Sequence, residues 1–165
     1  MKLKCIKIFL PFFIFLSCEG NLNLSDNGLI EPIFPDKDVN DFFETHLPSV
    51  SGFRSDCFSF PKKNACLMIN NVEELKKIID DDSIEVPVID FKSYTLVIGQ
   101  YLVPTTSYYV IEQHIAVATE KYALHLLVHK PESAYAAFTE VYYWGLYLKL
   151  SPKPIDLNIS FQTTK

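Results

Sequence analysis

The feature that most constrains this chain is the density of strand pattern in its second half. Five segments rich in apolar, β-branched and aromatic residues follow one another: "YTLVIGQYL" (94–102), "SYYVIEQHIAVAT" (107–119), "YALHLLVHK" (122–130), "AFTEVYYWGLYLKL" (137–150) and "IDLNISF" (155–161). Successive side chains of a strand point to opposite faces, so each segment declares which faces must be covered. "IDLNISF" alternates cleanly and needs cover on one side. In "YTLVIGQYL", Thr95, Val97 and Gly99 share one face and Leu96, Ile98 and Gln100 the other, the pattern of a central strand covered on both. Upstream, "ACLMIN" (65–70) is a further strand and "VPVIDF" (86–91) an extended approach. Between them "NVEELKKIID" (71–80) is the best helix pattern. Asn71 is its cap, Glu74 the residue three later in a capping box, and Val72, Leu75, Ile78 and Ile79 its buried stripe. One helix followed by about five mostly adjacent strands predicts an α+β fold, with one N-terminal helix packed on a curved, mostly antiparallel sheet of about five to six strands.

At 165 residues the chain is long enough for one such domain and short for two. Its hydrophobic content of 48% is high, and part of the excess sits at the start. Residues 1–7 carry Lys2, Lys4 and Lys7 and no acid, and residues 8–16 are apolar, broken only by Pro11. Nine helical residues span roughly 13–14 Å, far less than the ~30 Å of bilayer hydrocarbon. A basic stretch followed by a short apolar run is the pattern of a secretion signal. The run ends in Phe15-Leu16-Ser17-Cys18, which resembles the bacterial lipobox. That resemblance implies cleavage before Cys18 and lipidation of its thiol, with a leucine usual where Phe15 stands. Two or more acyl chains, at ~0.8 kcal/mol per buried methylene, give stable attachment. The predicted organisation is a signal peptide over 1–17, a tether over 18–51 containing a short helix in "DVNDFFETHL", and a single α+β domain over 52–165.

Loss of the three signal lysines takes the formal charge from −5 to −8. An acidic surface without a basic stripe repels nucleic acid and anionic lipid, so the expected link to the membrane is the lipid alone. The expected address is a bacterial cell envelope, with the outer membrane preferred. Of four cysteines, Cys5 leaves with the signal and Cys18 is the anchor. Cys57 and Cys66 bracket "FSFPKKNA", and an exported chain meets oxidising conditions, so a Cys57–Cys66 disulfide closing a short hairpin is expected.

Catalytic patterns are sparse. There is no Gly-x-Ser-x-Gly elbow, no Asp-x-Asp-x-Asp-Gly calcium loop and, with five glycines in all, no glycine-rich phosphate loop. No cofactor and no metal are read from the residues. His125 and His129 share a strand face, but their Cα atoms are roughly 13–14 Å apart, too far to ligate one ion. A tight turn at Glu120-Lys121 would set Glu112 opposite His129 and Ala116 opposite His125, with His114 on the same side. Such a register makes a polar cluster of Glu112, His114, His125 and His129, which ordinary polar pairs on a solvated sheet face equally explain. In "VYYWGLYLKL", Tyr142, Trp144, Leu146 and Leu148 read as core. Tyr143 and Tyr147 on the other face, with Tyr108 or Tyr109 from another strand, are a candidate platform for sugar rings or a protein partner, and Gly145 among them marks a bulge or a close backbone approach.

The order of strand, Glu-Glu-Leu helix, "IDF", "YTLVIGQ" and Tyr-Tyr-Val strand resembles small Bacteroidota lipoproteins of unassigned function over residues 66–150. More distantly it is similar to the C-terminal domain of bacterial protease-complex accessory subunits. In those a helix precedes an acidic-aromatic pair (here Asp90-Phe91), a strand ending in glycine (here Gly99) and a strand opening Gly-Gly-Tyr, where this chain has Thr106-Ser107-Tyr108. Neither resemblance carries a catalytic motif. The expected function is a non-catalytic lipoprotein module that binds an envelope protein or a glycan. The alternatives are an envelope hydrolase working from the Glu112/His129 face and, from the second resemblance, a protease-associated or inhibitory subunit.

Overall fold

The computed structural model of the chain describes residues 28–132 and 138–163. The signal peptide and Cys18 lie outside them. Within them the fold is mostly β, with seven strands in two sheets and two short helices, which corrects the expected single sheet packed on one helix. The strands are β1 (Leu29–Ile30), β2 (Ala65–Ile69), β3 (Tyr94–Val103), β4 (Tyr109–Val117), β5 (Tyr122–His129), β6 (Thr139–Leu148) and β7 (Ile155–Gln162). Helix α1 (Lys37–His46) precedes β2, and α2 (Val72–Lys76) follows it. One sheet has the order β1-β4-β5-β7 and the other β2-β3-β6. All pairs are antiparallel except β5 with β7.

Alternation explains why two sheets form. β5 turns Tyr122, Leu124, Leu126 and Val128 inward, and β6 offers Val141, Tyr143 and Tyr147 from the facing sheet. These side chains fill the space between the sheets. The reverse face of the β2-β3-β6 sheet is apolar too: Leu96, Ile98, Tyr142 and Leu146 lie against Val39, Phe43 and Leu47 of the α1 region and Leu75, Ile78 and Ile79 of the α2 region. β3 is therefore buried on both faces, and the molecule has three layers: sheet, sheet, helices. Phe43, fully buried, stacks on Trp144 with centroids 4.6 Å apart.

Residues 29–51, expected to be tether, are part of this packing; Ile30, Phe43 and Leu47 are buried. The second helix is shorter than its pattern. Asn71 caps it, accepting from the Glu74 N–H at 2.8 Å, while the Glu74 carboxylate accepts from the Asn70 N–H at 2.7 Å. Beyond Lys76 the chain leaves the helix because its backbone finds another partner: Ser59 N–H donates to Ile78 O, and Asp80 N–H donates to Cys57 O. Cys57 faces the helical layer and Cys66 the space between the sheets, so both are free thiols and the expected disulfide is not formed.

Candidate functional site

β6 is the last strand of its sheet, and β4 of the other sheet lies across from it. Two crossing segments frame the gap. At one end Ile30 pairs with Ile115 of β4, and three residues later the Ile33 N–H donates to Leu146 O of β6 at 2.7 Å. At the other end Val50 bridges Tyr109, and the Gly52 N–H reaches Thr139 Oγ1 at 3.1 Å. Gly52 has φ +104°, a conformation open to glycine and strained for other residues. Between the crossings lies a cleft of about 490 Å³. Residues 110–114 of β4 and 142–144 of β6 form its walls, with Glu31, Pro32 and Ser49 at its ends.

The floor depends on a glycine. Gln113 Nε2 donates to Trp144 O at 2.7 Å, crossing from one sheet to the other. A Cβ at Gly145 would stand 2.4 Å from that same nitrogen. Gly145 is thus the close approach foreseen for it, and its partner is a side chain. Behind it the Tyr147 hydroxyl is buried with no hydrogen-bond partner among the described residues. Burial raises its pKa, with smaller contributions from Cys66 and Glu31.

The β6 edge is polar where it meets the cleft. The Trp144 and Leu146 carbonyls both point away from β3, since Gln113 and Ile33 take them. The two-residue repeat of a strand turns the backbone groups of Tyr142 the same way. A second hollow of about 380 Å³ adjoins the first, sharing Ser49 and Trp144 and adding Leu47, Pro48 and Phe53.

The predicted tyrosine platform does not exist as a surface. Tyr108 is 3%, Tyr143 2% and Tyr147 0% exposed, because the face they share looks into the space between the sheets. Tyr143 is a strut there: its hydroxyl donates to Ala65 O of β2 at 2.6 Å, over the spot a Gly99 side chain would fill.

The polar residues of β4 and β5 adopt a different register from the one expected. The turn spans residues 118–121, with Ala118 N–H donating to Lys121 O, so Val117 pairs with Tyr122 and His114 with His125. The rings of His114 and His125 stack at 5.1 Å. A bulge between Val110 and Glu112 then sets Tyr109 opposite His129, their rings 4.5 Å apart, and leaves Glu112 opposite Leu127. Glu112 and His114 line the cleft, while His125 and His129 continue across the outer face toward Asn158 and Gln162 of β7. The Glu112/His129 pair on which a hydrolase was expected to rest is not formed.

A second cluster, not foreseen from the sequence, gathers where α1 ends. His46 Nδ1–H donates to Asp56 Oδ1 at 2.9 Å, and the Cys57 thiol completes a group whose donor atoms lie within 4.8 Å of one another. Burial, then the Asp56 carboxylate, pushes the Cys57 thiol up to about 12, which is the reverse of an activated nucleophile. At Asp56 partial burial acts to raise the carboxyl, but the His46 hydrogen bond and charge outweigh it and hold it below the usual range. No spacing rule announces a ligand set ten residues apart that depends on where a helix ends.

Comparison with protein-family models, with curated protein sequences and with solved structures finds no match, and so bears on neither the lipoprotein nor the accessory-subunit resemblance.

Proposed function

We propose that this chain is a lipid-anchored, non-catalytic binding module of the bacterial cell envelope, and that it takes an extended segment of a partner protein along the open edge of β6. The observation that carries the binding mode is the framed cleft, in which β6 turns the backbone groups of Tyr142 outward beside Glu31 and Glu112, next to the Trp144 carbonyl that Gln113 already takes. An added strand satisfies such groups by main-chain hydrogen bonds, and pockets on alternate sides read its side chains. The hollow at Leu47, Phe53 and Trp144, which Glu44 also lines, suits one residue with an apolar stem, and Glu31 and Glu112 suit a lysine or arginine nearby. The glycan alternative rested on tyrosines that are buried. The anchor rests on the sequence: the basic and apolar residues 1–16 and the "FLSC" pattern that ends them.

Selection of a displayed random-peptide library against the domain tests the binding mode. Selected peptides should carry basic residues, lose affinity at least tenfold against Glu112→Lys, and respond to backbone N-methylation at alternate positions only. Peptides indifferent to N-methylation would refute strand addition. Mass spectrometry of the mature N-terminus tests the anchor separately; an unmodified Cys18, or cleavage elsewhere, removes it.

A further inference from the structure

The cluster at the end of α1 has no part in the cleft, and its chemistry is of another kind. It brings one sulfur, one nitrogen and one oxygen donor together in a protein with an acidic surface. We propose that His46, Asp56 and Cys57 form a binding site for a single divalent metal ion of the zinc class. Mixed thiolate, imidazole and carboxylate donors suit zinc and cobalt(II) and do not suit calcium or magnesium, which take oxygen.

Two of the three donors are already held. Cys57 is 3% exposed, and its carbonyl accepts the Asp80 N–H at 2.8 Å. His46 ends α1 with its ring against Phe42, centroids 4.8 Å apart. Ser55 ties the two segments together: its hydroxyl donates to His46 O at 2.8 Å and accepts from the Phe58 N–H at 2.9 Å. Such contacts orient ligands before the ion arrives. Asp56 is the exposed donor, with 63% of its side chain open to solvent.

Metal bonds of ~2.0–2.1 Å to nitrogen and oxygen and ~2.3 Å to sulfur place tetrahedral donors about 3.3–3.6 Å apart. The His46–Asp56 pair at 2.9 Å therefore opens by a few tenths of an ångström, and the sulfur closes from within 4.8 Å by about one. Rotation of the exposed carboxylate supplies the first change. On binding, the His46 ring proton moves from the coordinating Nδ1 to Nε2, the Cys57 thiol proton passes to solvent, and the thiolate bonds to the ion. Three protein donors leave a fourth position for water or for a donor from a partner, the arrangement of an open site.

The test is titration of the full chain, reduced and in detergent, with cobalt(II) and then zinc(II). One equivalent of cobalt should give the visible bands of a four-coordinate ion together with a sulfur-to-cobalt charge-transfer band, and one equivalent of zinc should abolish both. Cys66→Ser should keep the charge-transfer band and Cys57→Ser should lose it. Asp56→Asn, a change at an exposed side chain that removes a carboxylate donor, should weaken binding by about tenfold or more. If Cys57→Ser does not fold, Asp56→Asn and His46→Gln decide the matter, read by competition for zinc with a chromogenic chelator. Absence of the charge-transfer band at stoichiometric cobalt, or zinc affinity unchanged in both of those variants, would show an ordinary surface pair beside a buried thiol and would overturn the site.

Discussion

Gly99→Ala is the sharpest test of the packing between the sheets. A Cβ at that position lies 2.0 Å from Ala65 O, 2.4 Å from the Tyr143 hydroxyl oxygen and 2.6 Å from Tyr143 Cζ. Neither neighbour can yield cheaply. Ala65 O belongs to β2, which is paired with β3, and Tyr143 is 2% exposed in the core. The new methyl sits across the Tyr143–Ala65 hydrogen bond, so that bond breaks and a buried hydroxyl is stranded at about 1–3 kcal/mol. Overpacking adds about 1–3 kcal/mol. The expected loss is about 2–6 kcal/mol, a large part of the roughly 5–15 kcal/mol typical of a domain. In equilibrium urea unfolding this lowers the midpoint by about 1 M or more, at m-values of about 1–3 kcal/mol per M. Tyr143→Phe alone removes the same hydrogen bond and should cost about 1–2 kcal/mol. In the Tyr143→Phe background the hydroxyl clash is gone but the clashes with the ring Cζ and the Ala65 carbonyl stay, so Gly99→Ala should cost about 1 kcal/mol less than in the wild type. A Gly99→Ala protein within about 0.5 kcal/mol of wild type, or two changes that simply add, would show that the Tyr143 strut is not where we place it.

Asn71→Ala removes the side-chain cap of α2 and should destabilise the domain by about 0.5–2 kcal/mol in the same assay. Alkylation in denaturant without reductant should label both Cys57 and Cys66 peptides; an unlabelled, linked pair would restore the disulfide. Burial, the main cause in each, holds Cys57 and Cys66 up to about 12 and about 11. The unfolded chain loses those protons at about pH 8.5, so this stabilisation is complete below that pH and declines as pH rises toward the folded values; urea midpoints should fall across that window, and less in a Cys66→Ser variant. At the acid end, the His46 hydrogen bond outweighs partial burial at Asp56, and the Ser93 hydroxyl acts on Asp90. Both carboxyls are held low, so their contribution is present above about pH 4 and is lost as pH falls further.

Local patterns in the sequence located most of the strands, because faces are written in the period-2 alternation of residues such as Leu124, Leu126 and Val128. Partners are not written there. Nothing in the pattern of β3 and β5 says that they belong to different sheets, and both one curved sheet and two facing ones satisfy the same alternation. β1 has two residues, too short to show any period, yet it begins the crossing that frames the cleft. The histidine register failed for two separable reasons: a four-residue turn moved the pairing by two, and the bulge after Val110 moved Tyr109 into the place given to Glu112. Closeness of Cys57 and Cys66 in sequence does not become closeness across a hairpin, because the chain after Cys57 turns to pair with the end of the α2 segment.

The tyrosines show why the site moved and not merely the fold. A strand with aromatics on both faces has one face too many for a single sheet packed on a helix, so the surplus face was free to be a platform. With two sheets there is no surplus: Tyr143 and Tyr147 fill the space between them, and Trp144 and Tyr142 turn to the helical layer. The exposed feature left on β6 is then its edge. An open edge invites pairing with other chains, and here it is guarded in part, by Ile33 at Leu146 and by Gln113 at Trp144. Those guards narrow the edge to the length of the cleft. On the proposed binding mode, a partner strand would have to fit between the crossings at residues 30–33 and 50–52, so the frame that protects the edge would also limit what binds it.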